Sequence, residues 1–367
     1  MSSTRKSSDA SMRNSSFAPP LASENYMLDE VGTDVLSDED QSPCDESRMN
    51  LDLREFYQDF KTPRISCMRL EYTRIPETGE YKQLGSGSFG NVFHGAYYEQ
   101  DDCPQEVAIK LYKSKKNSHA ELSTEWHKEL RNELRTELCI LERFDSPYII
   151  KAIGFCAEIH LGEPVYGVVT EFMPKGSLES LLCKEEKLDD KRKIEITLDI
   201  AFGLVDLHKK DVLHRDVKPA NILLDENYRV KLADFNTAVE KKEAKKTYAV
   251  GTRGWMAPEM IHEGKDISEK CDIYSFGMLF IYIAIGHKAF YSTFSSDMFK
   301  EISKTLDSIQ QVIERLKKEK YRDRFVSLMS RCLQEDAEKR PGANEIAREL
   351  KEELQALQVS ETTLKPR

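Results

Sequence analysis

Two kinds of hydrophobic periodicity divide this chain, and the change falls between residues 172 and 191. Before it, short apolar runs alternate with polar residues as strands do, and one longer stretch, residues 122–141, repeats its leucines at helical spacing. After it the spacing is helical, and residues 272–285 are apolar nearly all round, which is typical of a helix at the centre of a unit. The sequence therefore predicts an α+β protein with a small strand-rich unit followed by a larger helical unit.

Composition separates the first 50 residues from the rest. They hold eleven serines, ten acidic and four basic residues, and their apolar residues are isolated. Such a segment cannot bury enough surface to offset the entropy lost on ordering, so residues 1–50 are predicted to be a disordered tail, either a docking or phosphoacceptor segment or a tail without a specific partner. Residues 51–77 are predicted to be transitional, residues 78–357 to form the folded unit, and residues 358–367 to be a C-terminal tail.

Overall charge and cysteine usage exclude several classes of protein. The net charge of −10, from 54 basic and 64 acidic residues, argues against a general nucleic-acid binder. The longest apolar run, residues 277–286, is too short to span a bilayer, and the first 30 residues lack the apolar stretch of a secretory signal. Eight cysteines without a CxxC pair suit reduced thiols. These features predict a cytoplasmic protein without a membrane span or a nucleic-acid partner.

A glycine cluster lies between the first two predicted strands. Gly85, Gly87 and Gly90 form a GxGxxG pattern, which also occurs in dinucleotide-binding folds and in ordinary turns. A dinucleotide-binding loop opens into a helix and has an acidic residue about 20 positions later. Here the chain continues as a strand, and Lys110 stands twenty residues after Gly90. The context favours a glycine hairpin whose bare backbone N–H groups lie over phosphates.

Residues 214–221 (HRDVKPAN) are more specific than the glycine cluster. Asp234 follows thirteen residues later in the sequence DFN, residues 257–259 read APE, and residues 107–110 read VAIK upstream. With the glycine cluster, these motifs occur in the order found in protein kinases. The sequence resembles the protein-kinase superfamily from about residue 81 to about residue 357. Lys218 and residues 251–256 resemble the serine/threonine enzymes of the tyrosine-kinase-like group.

The resemblance implies the bilobal protein-kinase fold and a set of roles. Asp216 would accept or orient the proton of the attacking hydroxyl, and Lys218 would neutralise the transferring phosphoryl group. Asn221 and Asp234 would hold Mg²⁺, a hard cation that prefers oxygen ligands, and Lys110 would contact the α- and β-phosphates of ATP.

Lys110 requires a carboxylate partner on the following helix. Glu137 is the predicted partner, and Glu133, one turn earlier, is its rival. The separation of 27 residues is longer than the family usually shows, so residues 113–125 are predicted to lengthen the helix or to add one before it.

The remaining cofactor contacts also follow from the resemblance. Thr170 would be the gatekeeper, and the backbones of Glu171 and Met173 would meet the adenine edge. The side chains expected to sandwich the adenine ring are Leu84, Val92, Ala108 and Leu223.

Several further residues are predicted to be structural. His214 would anchor the catalytic loop, Asp272 would accept hydrogen bonds from its backbone, and Thr252 would bond Asp216 and Lys218. Glu259 would form a buried ion pair with Arg340.

The chain departs from the kinase pattern at Asn236, where the family has glycine. Asn tolerates positive φ better than other non-glycine residues, so the loop is expected to keep its conformation. Thr247 and Tyr248, among four lysines, are candidate sites for an upstream kinase, and a mobile solvated loop is the alternative.

The sequence leads to three hypotheses for the function of the protein. The first is an ATP- and Mg²⁺-dependent protein serine/threonine kinase acting on protein substrates. The second is a pseudokinase scaffold, which the DFN sequence keeps open. The third, a small-molecule kinase, is disfavoured because residues 251–259 resemble a peptide-docking ledge.

Overall fold

The structure is a computed structural model of the chain. The tail predicted at residues 1–50, most of the 113–125 insertion, and Thr247 and Tyr248 lie outside the residues that it describes. The described residues are 58–99, 103–112, 124–160, 163–184, 188–244, 249–261, 266–294, 302–319 and 321–363.

A mainly antiparallel sheet forms the small lobe. Its strands are β1 (Leu70–Tyr72), β2 (Gln83–Ser86), β3 (Gly90–Tyr98), β4 (Pro104–Tyr112), β5 (Ala152–His160) and β6 (Glu163–Glu171). They are arranged in the order β1-β3-β4-β6-β5, and β2 pairs with β3. β5 begins at Ala152, because Ile150 donates its N–H to the carbonyl of Leu232 in the large lobe, at 2.9 Å.

The register of this sheet places one set of predicted site residues on a common face. Lys110 lies opposite Val92, and Ala108 lies opposite Thr170. Successive side chains of a strand point to opposite faces, so Ile109 lies on the other face, fully buried in the small-lobe core. Apolar packing on one face therefore fixes which side chains the other face presents.

Helix α1 (Thr124–Leu141) packs against this sheet, as the leucine spacing predicts. Leu130, Leu134 and Leu138 recur every four residues and are buried. Each contributes about 1.5–3 kcal/mol relative to an exposed side chain. This packing orients the helix and with it Glu137, which is also buried.

Residues 58–72, part of the segment predicted to be transitional, cross the small lobe. The N–H of Ile65 donates to the Phe155 carbonyl at 2.8 Å, and the N–H of Phe155 donates to Pro63 at 3.1 Å. Ile65 and Cys67 are buried in the small-lobe core. A Cβ at Gly154 would lie 2.2 Å from Ile65, so glycine is required for this close approach. The segment is thus part of the lobe.

The large lobe is mainly helical, as predicted. Its helices are α2 (Leu178–Cys183), α3 (Asp190–Lys209), α4 (Pro258–Ile261), α5 (Lys270–Ile285), α6 (His287–Thr293), α7 (Ile302–Lys318), α8 (Asp323–Cys332) and α9 (Ala343–Thr363). Short strands complete it: β7 (Gly176–Ser177), β8 (Val212–Leu213), β9 (Ile222–Leu224), β10 (Val230–Leu232) and β11 (Val239–Glu240). Helix α5 is buried on all sides over residues 271–283. Helix α9 ends six residues beyond the predicted end at 357, because no glycine or proline stops it before Pro366.

The large lobe also contains a buried ion pair. Arg340 donates from both terminal nitrogens to Glu259, at 2.6 and 2.9 Å, and both side chains are almost fully buried. Two parallel bonds give the pair a fixed geometry.

The predicted α+β, bilobal architecture is confirmed. Among the described residues, no helix is both long and apolar enough to cross a bilayer.

Candidate active site

The catalytic loop, residues 214–221, and the DFN residues meet at one end of the β9–β10 hairpin. In its register Leu232 lies opposite Ile222, so the residues just outside the hairpin are neighbours. The N–H of Ala233 donates to the carbonyl of Asn221 at 3.0 Å. The hairpin therefore brings Asn221 next to the segment that carries Asp234, although thirteen residues separate them in sequence.

Asp216 is buried, and both of its carboxylate oxygens accept hydrogen bonds. Oδ2 accepts from Lys218 Nζ at 2.7 Å and from Asn221 Nδ2 at 3.1 Å. Oδ1 accepts from the backbone N–H of Thr252 at 2.9 Å. The hydroxyl of Thr252 in turn accepts from Lys218 Nζ at 2.7 Å. These bonds hold the carboxylate in one orientation and place Lys218 beside it.

Asp272 anchors the backbone of the catalytic loop. Its side chain is fully buried and accepts the N–H groups of His214, at 3.0 Å, and Arg215, at 2.8 Å. It also bonds His208 Nε2 at 3.0 Å. The His214 ring lies 3.1 Å from the Ala233 carbonyl, which ties the loop to the hairpin.

The close approach of the activation segment to this loop depends on a glycine. Arg215 has a φ of 64°. Gly251 has a φ of 114°, and a Cβ there would lie 2.4 Å from the Arg215 carbonyl oxygen. Only glycine fits at this point, and the next residue, Thr252, thereby reaches Asp216.

Lys110 connects the two lobes. Its ammonium donates to Glu137 Oε2 at 2.9 Å and to Asp234 Oδ1 at 2.8 Å. Burial would lower the pKa of Lys110, but the two carboxylates raise it above its ordinary value, so the group is charged at neutral pH. The structure thus pairs Lys110 with Glu137 and not with its rival, Glu133.

Asp234 receives a second donor from a residue for which the sequence predicted only a backbone role. Asn236 Nδ2 donates to Asp234 Oδ1 at 2.6 Å. The positive φ lies at Asp234, at 62°, and not at Asn236, so the tolerance of asparagine for that conformation is not needed. Burial would raise the pKa of Asp234, but Lys110, with Asn236, lowers it to about 2. Asp234 is therefore a carboxylate at neutral pH.

Tyr112 is a member of this cluster that sequence reasoning missed. Its hydroxyl donates to Glu137 Oε2, the oxygen that also accepts from Lys110. The signal was present, since residues two apart in a strand share a face and Tyr112 follows Lys110 by two.

The predicted nucleotide contacts differ in exposure. Met173 is buried, whereas Leu84 is 41% exposed, and Val92, Ala108, Thr170, Glu171 and Leu223 are half-buried. The Glu171 side chain bonds the Lys151 N–H at 2.8 Å and Lys231 Nζ at 2.6 Å. A Cβ at Gly85 or Gly87 would meet nothing within 4 Å, so packing does not require these glycines.

The donor set fits a divalent cation such as Mg²⁺. Asn221 uses its Nδ2 twice, toward the carbonyl oxygen and Oδ2 of Asp216, which orients its amide. Asp234 is ionised, and an amide oxygen with a carboxylate supplies the hard oxygen ligands that Mg²⁺ prefers.

Comparison with known proteins gives matches over the same region. Residues 79–350 match the Protein kinase domain family. The chain is 31% identical over 274 residues to Serine/threonine-protein kinase STY46 of Arabidopsis thaliana, covering 74% of this chain and 43% of that protein. It is 34% identical over 200 residues to Serine/threonine/tyrosine-protein kinase HT1 of the same organism, covering 54% of this chain and 47% of that protein. The chain thus spans less than half the length of these relatives.

The family match covers about three quarters of the chain and includes the glycine cluster, Lys110, the catalytic loop and Asp234. The segment at residues 58–72, which crosses the small lobe, precedes the matched region. On this match, with the bilobal fold and the motifs in order, the chain belongs to the protein kinase family.

Proposed function

We propose that this protein is an ATP- and Mg²⁺-dependent protein serine/threonine kinase. The observation that carries the proposal is the double ion pair of Lys110, with Glu137 on helix α1 and Asp234 after the β9–β10 hairpin. It joins the small lobe to the large lobe at the point where Asn221 supplies an oriented amide. The names of the two relatives, a serine/threonine-protein kinase and a serine/threonine/tyrosine-protein kinase, support this activity.

Each charged residue has a task in phosphoryl transfer. Asp216 accepts the proton of the substrate hydroxyl. The hydroxyl oxygen attacks the γ-phosphorus, and the bond between the γ-phosphorus and the oxygen of the leaving ADP breaks. Lys218, 2.7 Å from Asp216, neutralises the transferring phosphoryl group. Lys110 contacts the α- and β-phosphates, and Glu137 positions it. Catalysis by these groups is mainly positioning and charge stabilisation.

The cofactor contacts complete the proposal. Asn221 and Asp234 hold Mg²⁺, which supplies charge neutralisation at the phosphates when bound. Gly85, Gly87 and Gly90 present backbone N–H groups to the phosphates, and Thr170, Glu171 and Met173 line the adenine edge. The ring is packed between Leu84, Val92, Ala108 and Leu223.

Substrates and regulation are part of the same proposal. Protein serine and threonine hydroxyls are the acceptors, and Lys218 and Thr252 orient the Asp216 carboxylate toward them. An upstream kinase acts on Thr247 or Tyr248, and the protein works in the cytoplasm without a nucleic-acid partner.

The test compares wild-type protein with Asp216→Ala, using labelled ATP, Mg²⁺ and an arrayed serine/threonine peptide library. Removal of the base is expected to reduce incorporation by about 10²–10⁴-fold. Asp307→Ala, an exposed aspartate on helix α7, is the matched control and is expected to leave incorporation unchanged. Equal incorporation by wild type and Asp216→Ala would overturn the proposal and favour a pseudokinase scaffold.

A further inference from the structure

We propose that Tyr112 is a positioning residue, whose hydroxyl holds the Glu137 carboxylate where it can bind Lys110. This inference rests on the proposed function and extends it to a side chain that the kinase motifs do not include. Tyr112 acts through Glu137 and does not contact the reacting atoms.

The sheet and the helix bring the two side chains together. Tyr112 is the last residue of β4, on the same face as Lys110, and it is buried. Its hydroxyl donates to Glu137 Oε2 on helix α1. That oxygen also accepts from Lys110 Nζ at 2.9 Å. One carboxylate oxygen therefore has two donors, one charged and one neutral.

The second donor matters because Lys110 has more than one partner. Its ammonium already divides its bonds between Glu137 and Asp234, at 2.9 and 2.8 Å. When Lys110 turns toward phosphate oxygens, a buried Glu137 with no other donor would bear a desolvation cost. The Tyr112 hydroxyl does not bind nucleotide and stays on Glu137, so the carboxylate remains inside the cleft.

The hydroxyl remains a donor over the working pH range. Burial and the negative charge of Glu137 raise the pKa of Tyr112 well above its ordinary value, so the phenol stays protonated. The ring has a separate contact, with Lys110 Nζ lying 5.5 Å from its centroid. Phenylalanine keeps that ring contact and removes only the hydroxyl, so Tyr112→Phe isolates the hydrogen bond.

The first experiment measures kcat and KM for ATP in Tyr112→Phe. Loss of a hydrogen bond to a charged group is expected to reduce kcat/KM by about 10-fold. The matched control is Tyr72→Phe. Tyr72 is also buried in the small lobe, but its hydroxyl has no hydrogen-bond partner among the described residues. That variant is expected to keep wild-type kinetics.

The second experiment asks whether Tyr112 acts through Glu137. Glu137→Met removes the acceptor, and Tyr112→Phe is then introduced into that background. The expected result is that the 10-fold effect disappears, whereas a purely structural role of Tyr112 would reduce kcat/KM by the same factor in both backgrounds. Wild type, the two single variants and the double variant are also compared by urea unfolding, which measures the Tyr112–Glu137 contact in the absence of nucleotide.

The outcomes separate this inference from the function on which it rests. Wild-type protein that transfers no phosphoryl group overturns the proposed function. An active wild type with wild-type kinetics in Tyr112→Phe overturns the positioning role, as does an undiminished effect in the Glu137→Met background.

Discussion

The two lobes hold their site residues in different ways. In the large lobe, the fully buried Asp272 accepts backbone N–H groups from His214 and Arg215, so the main chain of the catalytic loop is fixed. In the small lobe, the partners of the Glu137 carboxylate among the described residues are two side chains, those of Lys110 and Tyr112. The catalytic loop is therefore built into the fold, whereas the Lys110–Glu137 pair depends on contacts that a shift of helix α1 would break.

The largest effect is expected from breaking the large-lobe anchor. Asp272→Ala leaves two buried backbone N–H groups and the His208 ring without their acceptor. The free energy of unfolding is expected to fall by about 3–5 kcal/mol, measured by urea denaturation. Asp307→Ala, on the exposed face of α7, is expected to change it little. An equal loss of unfolding free energy in both variants would show that Asp272 does not anchor the catalytic loop.

Breaking the small-lobe anchor is expected to affect activity more than stability. Glu137→Gln keeps an acceptor for Tyr112 but removes the charge that faces Lys110. We expect kcat/KM for ATP to fall by about 100-fold, or about 2.7 kcal/mol, with a smaller loss of unfolding free energy than in Asp272→Ala. Glu133→Gln is the control, one turn earlier on α1. A greater loss of activity in Glu133→Gln would restore Glu133 as the functional partner of Lys110.

Acid is expected to reduce the contribution of Asp272 to the free energy of unfolding, by less than its replacement with alanine does. Burial would raise the pKa of Asp272, but hydrogen bonds and charge from His208 and His214 lower it below its ordinary value. A carboxylate with a lowered pKa contributes its full stability above the unfolded pKa of about 4, and this contribution is lost as the pH falls through the folded value. Unfolding free energies of wild type and Asp272→Asn should therefore differ by a constant amount above about pH 5 and converge as the pH falls below about 4. A difference that stayed constant over the whole range would show that Asp272 is not the titrating group.

Much of the fold followed from periodicity and motif order. The spacing of the leucines in α1 predicted the helix, and the alternation of apolar and polar residues before residue 172 predicted the strand-rich unit. These patterns are local, and burial of one face determines them. The Glu259–Arg340 pair followed only from the kinase resemblance, because 81 residues separate its members.

Contacts between distant segments could not be read in the same way. Ile65 lies in the segment that was predicted only to be transitional, yet it packs on Gly154 across the small lobe. Asn236 was interpreted through its backbone preference, whereas its side chain bonds Asp234. Tyr112 was visible as a strand residue, but its partner depends on how α1 packs on the sheet. Tertiary packing decides each of these contacts.

The smallest effect is expected at Asn236. Its amide donates to Asp234, the large-lobe partner of Lys110, so it belongs to the side-chain type of anchor. Asn236→Ala removes one hydrogen bond to a charged oxygen while the Lys110–Asp234 pair stays. We expect the Mg²⁺ concentration for half-maximal activity to rise a few-fold and the unfolding free energy to fall by about 1 kcal/mol.

Asn236→Gly separates the side-chain effect from the backbone effect. It places the family residue at this position, removes the same hydrogen bond as alanine does, and increases the conformational freedom of the backbone. Since Asn236 does not have a positive φ, glycine gains nothing there and is expected to cost about 0.5–1 kcal/mol more than alanine. If glycine instead proved more stabilising than alanine, the loop would need a left-handed residue at this position. The side-chain bond between Asn236 and Asp234 would then not be what holds Asp234 in place.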